Sequence, residues 1–259
     1  RIIDEYGVDW ILQDGENMVK HCTKDSHTHD PRDSNYAGSV EGIDRILADI
    51  QQARPNVYWE NCEDGGNMMT FRMVGQYVTS ITNDASGALE SRQAVYGATY
   101  PFPPRYANRY MIEQNLDSYV TRSYAFGGPW VFMIRLDEMD AEGLEFAAAE
   151  IAMYKRMRPV IQGGKVYHLT AAPAERRIDA IQSYNQQMDR AVAVVTRDGA
   201  AAARYVLRPK GLRPEGEYVV TFRDDTRVLL MTGEQLGRAG VAVNLPQPHS
   251  AEVVFIEPN

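Results

Sequence analysis

The chain has 259 residues, of which 44% are apolar and 24% charged, the composition of an ordinary globular protein. Its formal net charge of −8 argues against nucleic acid as a partner, because phosphate binding needs a concentrated basic face. No apolar run approaches the roughly 20 residues that cross a bilayer, and the only cysteines are Cys22 and Cys62. We therefore expect a cytoplasmic protein with reduced thiols and no membrane partner.

The first half of the chain alternates short apolar runs with helical stretches. Residues Ile2, Ile3 and Tyr6 have the spacing of a helix with one buried face. Further along, the pattern predicts strands at 8–12, 56–59 and 78–82, and helices at 39–53 and 86–97 with Ser39 and Ser86 as N-caps. This alternation is typical of a parallel sheet built from βα units. Because the first helix lacks a capping residue, we expect the chain to be a piece of something longer.

In the second half of the chain, residues 105–111 form a weaker strand candidate, and residues 140–158 have the periodicity of a long helix. After Pro159 the sequence pattern changes. Short β-type runs follow, broken by glycine and proline, at 191–196, 203–207, 217–222, 228–231, 241–245 and 253–256. Strands at this spacing predict an antiparallel sandwich. We place a domain boundary near Gly163, between domains at 1–163 and 164–259.

Polar side chains follow three of the predicted parallel strands. They are Asp14, the segment 60–64, and Asp84. Catalytic side chains of a parallel α/β barrel lie at these strand ends, because the βα loops converge there over one opening. Two carboxyl groups about 5 to 5.5 Å apart are the pair that a retaining glycosidase needs. A lone aspartate after a strand, however, is more often only the N-cap of the next helix.

Several motifs strengthen this interpretation. They are Val8-Asp9-Trp10-Ile11-Leu12-Gln13-Asp14, Trp59-Glu60-Asn61-Cys62-Glu63-Asp64-Gly65-Gly66, Thr82-Asn83-Asp84, Ala94-Val95-Tyr96-Gly97 and Tyr154-Lys155-Arg156-Met157-Arg158-Pro159. Residues 207–218 form a further motif of this set. Together they resemble glycoside hydrolase family 36, the alpha-galactosidases, over nearly the whole chain. The most specific element is the Glu60-Asn61-Cys62 run followed by the glycine pair.

The resemblance implies a fold and a set of roles. The chain would hold strands four to eight of a (β/α)8 TIM barrel, followed by an antiparallel β-sandwich domain. Asp14 would be the nucleophile and Asp84 the acid/base residue, with Cys62 and Gly65 contacting the sugar. The resemblance also places Gln13, Asn61 and Asn83 at positions that line the sugar pocket in the family. The substrate would be an oligosaccharide or glycoside, and no cofactor or metal would be required. The remaining barrel strands would come from an N-terminal portion, and we expect a homo-oligomer.

Three positions next to the predicted catalytic residues depart from the family pattern. Leu12 stands where the family has a lysine that donates to sugar hydroxyls, Gln13 replaces a tryptophan, and Asn83 replaces a serine. A hydroxyl that loses its donor costs about 1 to 3 kcal/mol, so the identity of the sugar stays open. Two alternatives remain: a non-catalytic carbohydrate-binding relative, and a transglycosylase that uses the same aspartates.

A metal site is the other candidate that the sequence offers. His27, His29 and Asp30 lie close together in the loop after Asp14. Two histidines one residue apart in a polar loop are more often solvated than bound to a metal, and no further ligand is evident. We therefore predict no metal at this position.

Overall fold

The structure, a computed structural model, describes residues 1–15, 22–28, 41–66, 69–84 and 87–259. By its internal contacts the chain divides into two compact units, Arg1–Asp84 and Ala85–Asn259. The predicted boundary near Gly163 stays a prediction. The predicted N-caps Ser39 and Ser86 lie outside the described residues.

The first unit consists of parallel strands and the helices that follow them. Its elements are α1 (Ile2–Tyr6), β1 (Trp10–Gln13), α2 (Ile43–Ala53), β2 (Tyr58–Asn61), α3 (Phe71–Val74) and β3 (Thr79–Ile81). Strand β2 lies between β1 and β3, and both pairings are parallel. Leu47 of α2, Met73 of α3 and Tyr77 bury against each other, and Trp59 packs against them. The helices thus cover the face of the sheet to which Trp59 points.

The second unit begins with further strand–helix pairs. Its elements up to the long helix are α4 (Ala88–Ala98), β4 (Ala107–Met111), α5 (Ser118–Tyr124), β5 (Trp130–Phe132) and α6 (Ala141–Gln162). Strands β4 and β5 are parallel, with Arg109 beside Trp130. Met111 and Met157 are fully buried in a core that also contains Val192 and Phe255 of the following β domain.

The β domain is a sandwich of two antiparallel sheets. Its elements are β6 (Lys165–His168), β7 (Ile178–Asn185), β8 (Arg190–Arg197), β9 (Arg204–Leu207), β10 (Glu217–Phe222), β11 (Val228–Thr232), α7 (Gly233–Arg238), β12 (Val241–Asn244) and β13 (Ser250–Pro258). Six strands form one sheet in the order β11-β10-β13-β8-β7-β6, and β12 pairs with β9. Val195 and Val220 share a core with Leu207 and Val243 of the second sheet. The predicted fold class, parallel strand–helix units followed by an antiparallel sandwich, is confirmed.

The first two strands begin two residues later than the sequence predicts. Their parallel pairing starts with Trp10 beside Tyr58 and continues through Gln13 beside Asn61. As a consequence, Glu60 and Asn61 belong to a strand and not to the polar loop. The predicted buried face of α1 is wrong, because Ile2 and Tyr6 are 66% and 72% exposed in this structure. Helix α5 and strands β6 and β7 were not predicted.

Helix α6 continues through Pro159, although the sequence predicted its end there. A proline inside a helix removes one backbone hydrogen bond, which normally favours termination. Here Val160 and Ile161 are buried in the core, so another turn of helix hides apolar surface. The carbonyl of Pro159 accepts a hydrogen bond from Asn185 Nδ2 at 3.2 Å, and that of Val160 accepts from Ser183 Oγ at 3.1 Å. Tertiary contacts therefore provide hydrogen-bond donors for the carbonyl groups in the last turn of the helix.

Candidate active site

Asp14 directly follows β1, on the side of the strand that also carries Trp10 and Leu12. Side chains alternate across a strand, and the more exposed residues of β1 are Trp10 and Leu12. Asp14 is itself exposed, and its Oδ1 accepts the backbone N–H of Gly15 at 2.7 Å. The strand therefore presents the Asp14 carboxylate beside an apolar surface made by Trp10 and Leu12.

Strand β2 presents Glu60 and Cys62 on the same side as Asp14. Glu60 lies directly beside Leu12 in the parallel ladder, and its Oε2 accepts the Trp10 indole N–H at 2.9 Å. Only 2% of Glu60 is exposed. The backbone N–H of Cys62 donates to the Gln13 carbonyl at 2.8 Å, which continues the ladder one step past β2. This bond brings Cys62 next to Asp14.

A glycine turn brings Asp84 to the same position. Residues Glu63–Gly66 form a 3₁₀ turn in which Gly65 and Gly66 have φ angles of 53° and 89°. A Cβ on Gly65 would lie 2.5 Å from Asp84 Oδ2, and one on Gly66 would lie 2.2 Å from the Thr82 carbonyl oxygen. Only glycine permits both the backbone conformation and this close approach. The glycine pair thus fits the end of β3, and Asp84 with it, against the turn that follows Cys62.

The Cys62 thiol is affected by both aspartates. It is buried, with 7% of the residue exposed. Burial raises the pKa of the Cys62 thiol to about 12, and the negative charges of Asp14 and Asp84 and a hydrogen bond to Asp14 act in the same direction. Glu60 adds a smaller contribution of the same sign. The predicted nucleophile, acid/base residue and sugar-contacting thiol are therefore brought together in the first unit.

We expect Cys62 to resist alkylation until one of these carboxylates is neutralised. With a pKa of about 12, roughly one Cys62 thiol in 10⁴ is ionised at pH 8, and the thiolate is the reactive form. Iodoacetamide at pH 8 should label Cys62 only slowly in the folded protein, as followed by mass spectrometry. Asp14→Asn and Asp84→Asn should each lower the pKa of the Cys62 thiol and accelerate its labelling.

The control is Asp49→Asn, which changes an exposed aspartate on α2. It should leave the labelling rate of Cys62 unchanged. If neither Asp14→Asn nor Asp84→Asn changed the rate, Cys62 would not lie between the two carboxylates.

Replacing Gly65 by alanine should disturb the position of Asp84. The new methyl group would overlap Asp84 Oδ2, and alanine is disfavoured at the positive φ of this residue. A displacement of about 1 Å at a reacting group can cost ~100-fold in rate. Since the resemblance implies that Asp84 is the acid/base residue of a glycosidase, we expect Gly65→Ala to lower kcat of the full-length protein toward a susceptible nitrophenyl glycoside by about that factor.

Gly97→Ala is the matched control, because no atom lies within 4 Å of a Cβ at this helical position. It should keep full turnover, and circular dichroism of both variants separates loss of folding from loss of activity. Equal turnover in the two variants would mean that the contact between residue 65 and Asp84 does not matter.

The other three predicted sugar-contacting residues have different surroundings. Gln13 and Asn61 point to the opposite side of the sheet from Asp14 and Cys62, because the strand alternates. Gln13 Oε1 accepts the Tyr77 hydroxyl at 2.9 Å, and Asn61 Nδ2 donates to Ser80 Oγ at 3.0 Å. Asn83 immediately precedes Asp84 and is half-buried. The structure thus gives Gln13 and Asn61 hydrogen-bond partners inside the first unit.

Sequence reasoning missed the pair formed by Trp10 and Glu60. Both residues lie on the strand face that carries Asp14, and their side chains are joined by a hydrogen bond. The tryptophan and tyrosine rings of Trp10 and Tyr58 also lie 6.1 Å apart on this face. The two-residue alternation, counted back from Asp14 and from Cys62, is the signal that would have found them.

The candidate metal ligands are only partly described. His27 Nε2 lies 3.4 Å from Cys22 Sγ, whereas His29 and Asp30 lie outside the described residues. Within the described part of the chain, no group of three or more His, Cys, Asp or Glu side chains is arranged to hold a metal ion. None of the helices described is long and apolar enough to cross a membrane.

The fold of the chain is that of the C-terminal part of the family 36 alpha-galactosidases. The alpha-galactosidase from Lactobacillus brevis superposes with a TM-score of 0.84 at 20% identity, covering 100% of this chain and 36% of that one. A single-substitution variant of the alpha-galactosidase AgaA from Geobacillus stearothermophilus, in complex with 1-deoxygalactonojirimycin, gives a TM-score of 0.85 at 17% identity over 100% of this chain and 36% of that one. The resemblance read from the sequence motifs is confirmed at the level of the fold.

Curated relatives lead to the same group of proteins by sequence. Alpha-galactosidase Mel36A of Lactobacillus acidophilus is 25% identical over 230 residues, which are 84% of this chain and 31% of the relative. Alpha-galactosidase 2 of Hypocrea jecorina is 24% identical over 226 residues, which are 83% of this chain and 30% of the relative. The chain thus spans about a third of the length of these relatives. No family model matches it.

Proposed function

We propose that this chain carries the two catalytic aspartates of a retaining α-glycosidase of the alpha-galactosidase type. Asp14 attacks the anomeric carbon while Asp84 protonates the leaving oxygen, which forms a covalent glycosyl intermediate on Asp14. Asp84 then removes a proton from water, and the water releases the sugar with its original anomeric configuration. The observation that carries the proposal is the placement of the buried Cys62 thiol beside both carboxylates.

The solved relatives supply independent support. Two variants of the Geobacillus stearothermophilus alpha-galactosidase AgaA, each with a different aspartate substituted, were solved in complex with raffinose and with stachyose. The two substituted aspartates are separated by the same number of positions as Asp14 and Asp84 in this chain. This coincidence of spacing supports the pairing of Asp14 with Asp84, and an α-linked oligosaccharide as substrate.

The sugar itself depends on the surface around Leu12. Leu12 is 45% exposed and lies between Trp10 and the Asp14 carboxylate on one strand face. An isobutyl group offers neither a donor nor an acceptor to a sugar hydroxyl. We propose that the pocket provides no hydrogen-bond donor at this position, so that the sugar hydroxyl facing Leu12 is not bonded there. An α-galactoside that lacks this hydroxyl would then be turned over as well as the complete α-galactoside.

A panel of nitrophenyl α-glycosides tests the proposed function on the full-length protein. Turnover of at least one α-glycoside, with the α-anomer seen first by proton NMR, is the expected result. Binding of sugars without any turnover would favour the non-catalytic carbohydrate-binding relative. Products formed only when a sugar acceptor is added would favour the transglycosylase. A β-anomer as first product would contradict the double displacement.

Three further expectations stay predictions. They are the contribution of an N-terminal barrel portion, the assembly into a homo-oligomer, and the cytoplasmic location. The free thiols of Cys22 and Cys62 are consistent with a reducing compartment.

A further inference from the structure

A large polar cleft lies in the second unit, at the edge of the six-stranded sheet. Its volume is about 660 Å³, within the ~300 to 1,000 Å³ typical of ligand sites. The residues that shape it are Lys165, Tyr167, Tyr184, Gln187, Asp189 and Gly211. The proposed catalytic chemistry uses none of them, because Asp14, Cys62 and Asp84 all belong to the first unit.

The floor of the cleft is one face of the β6–β7 ribbon. Strand β6 is the edge strand of its sheet, and Lys165 pairs directly with Tyr184. Tyr167 lies two residues further along β6, so its side chain is on the same face as Lys165 and Tyr184. The Lys165 ammonium lies 5.3 Å from the centre of the Tyr167 ring. The floor thus combines the aromatic rings of the two tyrosines with the ammonium group of Lys165 as a hydrogen-bond donor.

A fixed loop closes one side of this floor. Gln182 is fully buried, and its amide donates to the Lys210 carbonyl at 2.7 Å and accepts the Lys210 N–H at 2.9 Å. These two bonds hold the next residue, Gly211, against the tyrosines. A Cβ on Gly211 would lie 2.8 Å from Tyr167 Oη and 2.8 Å from Tyr184 Cδ1, and its φ is 86°. The wall is therefore formed before any ligand arrives.

The Asp189 carboxylate forms the opposite wall, and both of its oxygens already accept hydrogen bonds. Asp189 Oδ1 accepts the hydroxyls of Tyr184 and Tyr218, both at 2.8 Å, and its Oδ2 accepts Arg213 Nε at 2.9 Å. The charges of Asp189 and Arg213 thus neutralise each other. Lys165 is left as the main source of charge near the floor, so the cleft is not a strong anion site.

Several hydrogen-bonding groups at the cleft remain available to a ligand. Among the described residues, no hydrogen bond is made by the Tyr167 hydroxyl, the Lys165 ammonium or the side-chain amides of Gln186 and Gln187. They comprise donors and acceptors set around an aromatic ring. Sugar rings present both kinds of surface, since hydroxyls donate and accept while the C–H faces are apolar. We propose that this cleft is a second, non-catalytic binding site for a neutral oligosaccharide.

Hydrogen exchange followed by mass spectrometry tests this site in the full-length protein. Raffinose is the probe, and Asp14→Ala provides a background in which the sugar stays intact. Raffinose should slow exchange in segments 163–168, 184–189 and 209–213. Tyr167→Ala should weaken the raffinose dependence of that protection about tenfold, and Gln187→Ala severalfold. Both side chains are at the cleft surface, so neither substitution, when made in the protein that retains Asp14, should change turnover of a nitrophenyl glycoside.

Tyr6→Ala is the matched control, because Tyr6 is a 72% exposed tyrosine on α1 that does not line the cleft. It should leave the protection intact. Absence of protection in the three segments at saturating raffinose would overturn the proposal, and so would protection that persists unchanged in Tyr167→Ala. The result is independent of the catalytic proposal, because an inactive protein that shows this protection would still contain the site.

Discussion

Asp14→Ala should reduce hydrolysis of a susceptible nitrophenyl α-glycoside by roughly 10³- to 10⁴-fold, since the proposed covalent intermediate cannot then form. The side chain is exposed and its one described backbone bond is to Gly15, so the variant should fold normally. A small nucleophile such as azide should restore part of the rate by attacking in place of the missing carboxylate. The product would be a glycosyl azide of inverted configuration, which NMR identifies directly.

Asp84→Ala should give a different pattern, because its proposed role is proton transfer. Nitrophenolate leaves with little help from an acid, whereas the alcohol of an oligosaccharide does not. We expect a loss of roughly 10²- to 10⁴-fold with raffinose and a smaller loss in the first step with the nitrophenyl glycoside. Asp49→Asn again serves as the control and should keep full activity. Undiminished turnover in both Asp14→Ala and Asp84→Ala would contradict the mechanism.

Arg122→Leu should cause the largest loss of stability, about 3 to 5 kcal/mol in the free energy of unfolding. The Arg122 side chain is 1% exposed, and its guanidinium binds Glu150 through Nε at 2.9 Å and Nη2 at 3.0 Å. It also donates to the Ala251 carbonyl of β13 at 2.6 Å. Removing it leaves the fully buried Glu150 carboxylate with much less compensation, because among the described residues only Arg223, at 3.2 Å, also forms an ion pair with it.

Urea unfolding of the full-length protein measures this loss. The matched control is Arg135→Leu, because Arg135 also pairs with two carboxylates but is 62% exposed. An exposed pair contributes at most about 1 kcal/mol, so this variant should unfold close to the parent midpoint. Similar losses in the two variants would mean that burial of the Arg122 network has no special energetic weight.

The local sequence was sufficient for much of the secondary structure. Strand β10 has the predicted bounds, and β3 lies inside its predicted range, because both segments are rich in the β-branched and aromatic residues that favour strands. Helix α5 was missed because its residues Thr121, Arg122 and Ser123 are polar, yet all three are buried. Their burial depends on partners far along the chain, such as Glu150 and Ala251. No local pattern reveals such partners.

In the candidate site, too, some features follow from the local sequence and others depend on distant partners. The order of motifs along the chain predicts Asp14 and Asp84 as catalytic residues and Cys62 and Gly65 as contacts to the sugar. The Glu60–Trp10 bond, however, joins residues 50 positions apart and was not foreseen. It depends on a strand register that begins two residues later than predicted, and register is set by pairing across the sheet.

By itself, the sequence determined which residue types stand at the strand ends and which class of chemistry they suit. Only the tertiary structure decided that Gly65 contacts Asp84, that Cys62 lies beside both carboxylates, and that Gln182 holds Gly211 over Tyr167. The physical reason is that residue type and spacing are local properties of the chain. Contact between distant segments is a property of packing, and the lack of room for a Cβ at Gly65 beside Asp84 becomes visible only when both segments are in place.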